Sequence, residues 1–242
     1  MVKENISSPI DCACVIHGDA YSWDYVERLY SMLSRHLSSG VRLHVYTEAD
    51  RPVPAPFIKH ALDDWKISGP RRSWWYKIQL FDSEKFSGSL LYFDLDTVII
   101  KQLDWIPQLS LEYCWTVRDF KFLWKPLSHE SNTSVMWFDT NKFNYVYKNF
   151  KSTDLHQTML KYRGDQDFVT DQIKTTYLRF FDQNRVKSWR WQCLDGGYNF
   201  DKKQHKTPGA RTELTDTTSI LVFHGHPKPG KTTDSVVIQH WK

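Results

Sequence analysis

The first hundred residues alternate short apolar runs with an amphipathic helical segment, and this alternation restricts the fold more than any other feature of the chain. The apolar runs at residues 11–17, 41–46 and 90–93 predict strands. Between the first two, residues 22–24 are expected to cap an amphipathic helix that runs to about residue 36. Strands separated by helices usually pair in parallel, because the connection crosses the face of the sheet. We therefore expect an α/β protein with a mainly parallel central sheet flanked by helices.

The second half of the chain gives shorter and less regular signals. Three apolar runs predict further strands, at residues 113–118, 134–138 and 219–223. Helices are predicted over residues 73–81, over residues 144–161 and from Asp165 onward. The sequence contains no internal repeat, low-complexity tract or linker-like segment, so we expect residues 1–242 to form a single domain.

Charge, hydropathy and cysteine content narrow the class of protein. The net charge is +4 and basic residues cluster only in short pairs, so we expect no nucleic-acid partner. No apolar run approaches the roughly 18 residues of a membrane-spanning helix, and the first residues lack the apolar core of a signal peptide, so no transmembrane segment is expected. Cys12 and Cys14 alternate along a predicted strand and so cannot easily pair, and no CxxC pair indicates a zinc site. Reduced, buried thiols fit a cytoplasmic location.

Aromatic residues are unusually frequent in this chain. They make up 15% of the sequence and include 11 tryptophans. Such rings either fill the core or line a cleft that stacks on bases or sugars.

Two carboxylates, Asp94 and Asp96, stand one residue apart between the apolar runs LLYF and TVII. They follow the predicted strand at residues 90–93, and open α/β sheets bind ligands at the carboxyl ends of their strands. Buried carboxylates need a cation as partner. Hard oxygen ligands suit Mg²⁺ or Mn²⁺, and these ions in turn neutralise phosphate oxygens. The pair therefore predicts a divalent-cation site that binds a phosphorylated ligand.

The same segment also fits a different chemistry. Asp94 begins the sequence DLDTV, which matches the pattern of haloacid-dehalogenase-like phosphatases, where the first aspartate is a phosphoryl nucleophile and the second a general acid/base. Such enzymes need a second acidic pair downstream. Gly164 and Asp165 begin one, but Val169 occupies the position of its second acid. A phosphatase with Asp94 as nucleophile remains the alternative interpretation.

Six segments carry a resemblance that covers most of the chain. They are VIHGDAYSWDYVERLYSMLSRHL, WWYKIQLF, LLYFDLDTVII, SNTSVMWFD, GDQDFVTDQ and FHGHPKPGK, in this order. The chain resembles the GT-A-fold glycosyltransferases, above all the retaining glycosyltransferase family 8 and its bacterial relatives. The resemblance implies a Rossmann-like GT-A domain that moves a sugar from a nucleotide-sugar donor, UDP-linked, to an acceptor hydroxyl with retention. The acceptor would be a glycan, a lipid-linked molecule or a protein, and a non-catalytic nucleotide-sugar-binding module of the same fold is a third possibility.

The resemblance also implies how the cation is held. Asp94 and Asp96 would bind Mn²⁺ or Mg²⁺, and a histidine after the last predicted strand would be the third ligand. His224 is the preferred candidate because it directly follows that strand, and His226 is the alternative. Lys228 would contact the diphosphate, although the family has a longer gap between the histidine and this lysine than this chain has.

Further residues are assigned to the donor sugar by the same resemblance. Lys77 would lie close to the nucleotide and the sugar, and Asn132 and Ser134 flank Thr133 in a small, polar segment that would line the sugar pocket. Asp165 would hold the sugar hydroxyls, and Gln166 would lie beneath the anomeric carbon.

The resemblance also implies a position for the nucleotide base. The base would lie at the turn that follows the first predicted strand, where Gly18, Asp19 and Tyr21 are found. Arg72 is a weaker candidate for the donor site than Lys77, because it would lie on a different face of the predicted helix. Acidic residues also occur in turns and at helix N-termini for structural reasons alone, so these assignments are expectations about where the side chains meet.

Overall fold

The computed structural model describes residues 8–67, 72–193, 198–199, 204–205 and 214–242. The strands within these ranges are Ile10–Val15 (β1), Val41–Thr47 (β2), Ile58–Ala61 (β3), Ser89–Phe93 (β4), Thr97–Ile99 (β5), Cys114–Arg118 (β6), Ser131–Asp139 (β7), Leu178–Phe180 (β8), Val186–Ser188 (β9), Tyr198–Asn199 (β10), Gln204–His205 (β11) and Ile220–Val222 (β12). The α-helices are Asp24–His36 (α1), Arg72–Trp75 (α2), Thr140–Ser152 (α3), Leu155–Lys161 (α4), Asp165–Gln172 (α5) and Ser235–His240 (α6). Tighter 3-10 turns cover Tyr76–Phe81, Phe120–Leu123 and Pro229–Lys231, and a wider π-helical turn covers Trp189–Cys193.

A seven-stranded sheet with the order β3-β2-β1-β4-β7-β6-β8 forms the centre of the fold. β7 is antiparallel to both of its neighbours, and all other neighbouring pairs in this sheet are parallel. The expected α/β fold with a mainly parallel sheet is thereby confirmed. Because β7 is reversed, its first residues lie at the same edge of the sheet as the carboxyl ends of β1 and β4.

A smaller sheet with the order β5-β12-β9 brings the late part of the chain to that edge. β5 begins at Thr97, directly after the acidic pair, and Thr97 lies opposite Val222 of the antiparallel strand β12. The chain that leaves β12 therefore emerges beside Asp96. β9 runs parallel to β12 and places Ser188 opposite Val222, so the end of β9 reaches the same corner.

Alternate residues of β4 pack on opposite faces of the central sheet. Leu91 and Phe93 are buried in the cluster that includes α1, and Leu90 and Tyr92 are buried in the cluster that includes α3. Strands covered on both faces read as continuous apolar runs, which is why the sequence LLYF predicts this strand well. Each fully buried side chain of this size contributes roughly 1.5–3 kcal/mol, so the end of β4 is firmly held.

Three predicted elements differ from the structure. The helix expected over residues 144–161 is two helices, because Asp154 accepts a hydrogen bond from the backbone N–H of Gln157 and caps the start of α4. The strand expected at residues 134–138 begins three residues earlier, at Ser131. The helix expected at residues 73–81 is a short α-helix that tightens into a 3-10 turn. Among the described helices, none has the length and apolar character required to cross a bilayer.

A row of hydrogen-bonded side chains crosses β1, β2 and β3 on one face of the sheet. His44 Nδ1 lies 2.8 Å from His60 Nε2, and His44 Nε2 lies 2.8 Å from Asp11 Oδ1. Burial, together with the neighbouring His44, lowers the pKa of His60 to about 4. The fold therefore requires the neutral form of His60.

This requirement predicts an acid-sensitive component of stability. The pKa of His60 falls from its ordinary value of 6.5 to about 4 on folding. The contribution of neutral His60 to the free energy of unfolding is therefore fully present above pH 6.5 and is lost as the pH falls towards 4. It amounts to about 2 kcal/mol after allowance for the partial exposure of the side chain. Urea unfolding at several pH values should show a shallower acid loss for His60→Gln than for the wild type. The exposed His156→Gln is the control, and equal slopes for all three proteins would contradict the assignment.

Candidate functional site

A cavity of about 510 Å³ opens at the edge where the carboxyl ends of β1 and β4 meet the amino end of β7. The turn after β1, the acidic pair after β4 and the start of β7 line it, together with α2, the start of α5 and the segment after β12. Its size is that of sites that enclose a small ligand. The structure thus brings together segments that are far apart in the sequence.

Asp94 is held at the floor of this cavity by its backbone and its side chain. Its N–H donates to the carbonyl oxygen of Ser134 at 2.7 Å, which ties the end of β4 to the start of β7. Its Oδ1 accepts a hydrogen bond from the Tyr92 hydroxyl at 2.5 Å and lies 2.9 Å from Lys77 Nζ. Burial alone raises the pKa of Asp94, but the charge and hydrogen bond of Lys77, with hydrogen bonds from Tyr92 and Ser134, outweigh burial and lower it. Asp94 is therefore ionised.

Lys77 joins Asp94 to a second buried carboxylate on α5. Its Nζ lies 3.4 Å from Asp165 Oδ2 and donates to Thr133 Oγ1 at 3.2 Å, and the Thr133 hydroxyl donates to Asp165 Oδ2 at 2.6 Å. The side chains of Lys77 and Asp165 are only 12% and 5% exposed. Burial opposes the charge of Lys77, but the charges of Asp165 and Asp94 raise its pKa. Burial raises the pKa of Asp165 in spite of the lysine.

Asp96 meets the segment that follows β12. Its Oδ2 accepts hydrogen bonds from Lys228 Nζ at 2.5 Å and from the Tyr21 hydroxyl at 2.8 Å, and Lys228 Nζ also donates to the Tyr21 oxygen at 2.9 Å. Burial and the neighbouring charge of Asp94 raise the pKa of Asp96 more than Lys228 lowers it. A further positive charge at this position would favour the ionised carboxylate.

The two candidate histidines differ in their surroundings. His224 Nε2 lies 2.6 Å from Ser188 Oγ, and its ring centroid is 4.2 Å from that of Trp191. Burial, with nearby positive charges, lowers the pKa of His224 to about 4, so the imidazole is neutral. His226 is exposed at the rim of the cavity. Gly225 between them has a φ of +77°, a left-handed conformation that favours glycine and turns the chain back towards Asp96.

The donor set at the acidic pair fits a hard divalent cation. Tyr92 and Lys77 contact Oδ1 of Asp94, and Tyr21 and Lys228 contact Oδ2 of Asp96, so these four partners leave the other oxygen of each carboxylate for a cation. His224 lines the same cavity with a neutral ring, but its Nε2 is engaged by Ser188. Within the described ranges, no three His, Cys, Asp or Glu side chains lie together closely enough to hold a metal ion.

The turn after β1 is fixed by a clasp that the sequence did not reveal. The N–H of Gly18 donates to Glu48 Oε1 at 2.6 Å, and Arg51 Nη2 donates to the carbonyl oxygen of Gly18 at 2.8 Å. Arg51 Nε also donates to Glu48 Oε2 at 2.8 Å, which closes the clasp. Arg51 and the hydrogen bond from Gly18 outweigh the effect of burial and lower the pKa of Glu48 to about 2. The clasp holds the turn at one end of the cavity.

The predicted nucleotide-end residues are placed differently from one another. Tyr21 lines the cavity and contacts the acidic pair, and Ala20 also lines it. Gly18 belongs to the clasp, and Asp19 is exposed; neither is among the residues that line the cavity.

The predicted sugar-end residues all line the cavity. Asn132 Oδ1 accepts a hydrogen bond from the N–H of Ser134 at 3.0 Å, and Asn132 belongs to β7 together with Ser134, although the predicted strand begins only at Ser134. Gln166 lines the cavity beside Asp165, and its Nε2 donates to Asp119 Oδ2 at 3.0 Å. The side chain of Arg72 lies outside the described part of the structure.

Sequence reasoning missed three residues that shape the site. Tyr92 is two residues before Asp94, so both side chains point to the same face of the strand, and this period was available from the sequence. Glu48 directly follows β2 at the same edge of the sheet, which the strand-end rule also identifies. Ser188 ends a three-residue strand that has no periodic signal.

Several solved structures of glycosyltransferases have a similar fold. The galactosyltransferase LgtC, in complex with donor and acceptor sugar analogs, is 13% identical, with 91% of this chain and 89% of that chain covered and a TM-score of 0.54. An active-site mutant of LgtC is 11% identical, with 95% and 93% covered and a TM-score of 0.58. The apo form of the glycosyltransferase GlyE from Streptococcus pneumoniae TIGR4 is 15% identical, with 97% of this chain covered and a TM-score of 0.57.

This similarity confirms the expected GT-A fold. At 11–15% identity it is a similarity of fold alone. The chain spans 61% of that GlyE structure and 47% of the bifunctional glycosyltransferase WbbM, and thus less than two thirds of either. A scan against protein-family models and a search of curated proteins found no match.

The buried position of Lys77 predicts a large loss of stability when its charge is removed. Lys77→Met would leave the buried Asp165 and the partly exposed Asp94 without their shared cation, which costs about 3 kcal/mol in the free energy of unfolding. The matched control is Lys85→Met. Lys85 is 17% exposed and pairs at 2.9 Å with Asp63, whose side chain is 41% exposed. The carboxylate left behind is therefore in contact with water, and we expect a loss of at most about 1 kcal/mol. Urea unfolding followed by tryptophan fluorescence measures both, and equal losses would refute this view of the cluster.

Proposed function

We propose that this protein is a metal-dependent glycosyltransferase that moves a sugar from a UDP-linked donor to an acceptor hydroxyl with retention of configuration. The observation that carries the proposal is the convergence of three carboxylates and two lysines in one cavity at the ligand-binding edge of a GT-A-like sheet. These residues are Asp94, Asp96, Asp165, Lys77 and Lys228. The glycosyltransferases with the same fold support it.

The charge of this cluster supports a divalent cation. Three carboxylates against two ammonium groups leave one net negative charge when all are ionised, and a nucleoside diphosphate adds more. Binding such a donor therefore needs additional positive charge. We assign Mn²⁺ or Mg²⁺ to Asp94 and Asp96, with His224 as the preferred third ligand and His226 as the alternative. When bound, this cation neutralises charge that develops on the departing diphosphate.

The order of the strands suggests how the donor lies. β1, β4 and β7 are neighbours in the sheet, spaced by about 4.8 Å. We place the base at the turn after β1, near Gly18, Asp19 and Tyr21. The diphosphate then lies at the end of β4, and the sugar lies over Asn132 and Ser134 at the start of β7. This arrangement follows the chemical order of a nucleotide sugar across three adjacent strands.

The chain's own cations and polar groups then have distinct roles. Lys228 approaches from the segment after β12 and stabilises the phosphate oxygens on the side away from Lys77. Lys77 and Asp165 form the buried end of the site, where the carboxylate accepts hydrogen bonds from sugar hydroxyls. Desolvation strengthens these interactions. Asp165, Gln166 and Lys228 are the residues we assign to catalysis.

Retention is assigned to front-face attack guided by Gln166. Its amide nitrogen is held by Asp119, so the amide has a fixed orientation next to Asp165. The acceptor oxygen forms a bond to the anomeric carbon on the face from which the phosphate oxygen departs, and its proton passes to that phosphate oxygen. Gln166 lies beneath the carbon and orients the sugar.

We also propose that residues 1–242 form one domain and that the protein is cytoplasmic. Residues of the seven-stranded sheet and residues that follow β12 of the three-stranded sheet line one cavity, which supports residues 1–242 as one domain. Cys12, Cys14 and Cys114 are buried free thiols, as in a reducing compartment, and this supports the cytoplasm. The acceptor is a glycan, a lipid-linked molecule or a protein.

A thermal-shift screen of nucleotide sugars with and without Mn²⁺ tests the donor class. A ligand that binds the folded state at 100 times its dissociation constant adds about 2.7 kcal/mol, which raises Tm by roughly 5–10 °C for a chain of this size. We expect this shift for a UDP-sugar together with Mn²⁺, and a much smaller one for either alone. Absence of any nucleotide-sugar response would contradict the proposal.

The role of the acidic pair is tested by Asp96→Asn. The variant should lose Mn²⁺-dependent stabilisation by the donor and lower kcat/KM at least about 100-fold, because the charge that holds the cation is gone. Tm without ligand should change little, since the partner Lys228 is 27% exposed and reaches water. Asp216→Asn, at an exposed position outside the cavity lining, is the control. Wild-type activity in Asp96→Asn would refute the assignment.

The same experiments separate the other interpretations. A phosphatase would release phosphate from aryl phosphates and be trapped at Asp94 by a beryllium fluoride analogue. The position of its second acid is Val169, which is buried in the core, so the structure offers no support for it. A binding module would show the donor-dependent shift with no turnover of any nucleotide sugar.

A further inference from the structure

One tryptophan at the rim of the cavity has no role in the donor site. Trp74 lies on α2, is 49% exposed and lines the cavity together with Asp165 and Gln166. Tryptophan side chains are usually turned into the core, as Trp189 is at 1% exposure. A half-exposed indole in a cavity wall presents a large, flat, apolar surface to whatever enters.

Contact with Gly164 determines where this indole lies. A Cβ atom placed on Gly164 would come 3.1 Å from Cε3 of Trp74, so the ring packs directly on the backbone before α5. The φ of Gly164 is 177°, an extended conformation that any residue adopts, so the need for glycine here comes from the ring. Asp165 and Gln166 follow directly. The indole is therefore fixed beside the proposed site of sugar transfer.

The ring lies at the sugar end of the cavity, away from the proposed base end. α5 is joined to β7 by the hydrogen bond from Thr133 to Asp165 at 2.6 Å and by that between Ser131 and Thr170 at 2.6 Å. β4 separates β7 from β1, whose end carries Tyr21. A base bound near Tyr21 is thus on the other side of the acidic pair.

The greater exposure of Trp74 indicates that this ring contacts the acceptor rather than the donor sugar. The polar groups assigned to the donor sugar, Lys77 and Asp165, are 12% and 5% exposed. Trp74 is at the solvent side of the same region, where a second substrate enters. One face of a pyranose ring is covered by C–H groups that pack on an aromatic face, while its hydroxyls project from the edge.

We propose that Trp74 is the platform on which the acceptor stacks, and that the acceptor is therefore a carbohydrate. This inference rests on the proposed glycosyltransferase function and identifies the class of its second substrate. Gly164 is a positioning residue, because a methyl group there would displace the indole by a few tenths of an ångström.

Saturation-transfer NMR with a panel of methyl hexosides, without donor, tests the stacking directly. The proteins are the wild type, Trp74→Ala, Trp74→Phe and the control Trp124→Ala, since Trp124 is 39% exposed but does not line the cavity. We expect signals from the C–H groups of one ring face in the wild type and the control. The apparent affinity should fall roughly fivefold in Trp74→Ala and be partly retained in Trp74→Phe.

A second readout separates this inference from the proposed function. Stabilisation by the donor with Mn²⁺ should be unchanged in Trp74→Ala, while the KM for the acceptor rises roughly fivefold. Hexoside signals that are equal in Trp74→Ala and the wild type, or absent for every hexoside, overturn the inference, as does a loss of donor stabilisation in Trp74→Ala. Failure of the proposed function would instead be seen as no donor response in the wild type, and the hexoside measurement would still decide the role of Trp74.

Discussion

Compensation of buried negative charge at the end of β4 is the interaction on which the rest of this site depends. Asp94 and Asp96 are fixed by a strand that is covered on both faces, so they cannot move into water without disrupting the core. Each carboxylate therefore has a lysine from a distant part of the chain as partner, Lys77 at 2.9 Å and Lys228 at 2.5 Å. The folded structure has to deliver these two lysines to one point.

The topology of the two sheets and the packing of the helices on them bring these two lysines to the acidic pair. The reversed direction of β7 places Ser134 and its neighbours beside Asp94, and α5 then adds Asp165 through Thr133. The antiparallel pairing of β5 with β12 returns the late chain to Asp96 and places Lys228 on it. Both connections bring groups from distant parts of the sequence to the ligand-binding edge of a GT-A-like sheet. The pairing of opposite charges that stabilises the fold and the proposed chemistry therefore use the same side chains.

Much of this could be predicted from the sequence, for identifiable reasons. The buried strand β4 has a continuous apolar run. The acidic pair at its end would destabilise a purely structural element, so it indicates a functional site. The resemblance assigns Asn132 and Ser134 to the sugar pocket, but the predicted strand begins only at Ser134, because the small polar residues at the start of β7 do not resemble a strand interior. The contact from Lys77 to Asp165 could not be read from single segments, since it depends on how α5 packs against β7.

Other features were beyond the reach of the sequence. The clasp of Glu48 and Arg51 on Gly18 depends on β2 lying next to β1, which the pattern of strands does not specify. The position of Ser188 beside His224 depends on a three-residue strand that carries no periodicity. The assignment of His224, Gly18 and Asp19 to bound ligands came from family resemblance, and it stays a prediction.

The central claim is that the paired carboxylates hold a cation that binds the diphosphate of a nucleotide donor. Anomalous diffraction from a crystal soaked with Mn²⁺ and UDP tests it most directly. We expect one manganese peak between the carboxylates of Asp94 and Asp96, in contact with the diphosphate, with the uracil towards Tyr21. A cavity that contains UDP with no manganese at these carboxylates, or UDP bound at another surface, would contradict it.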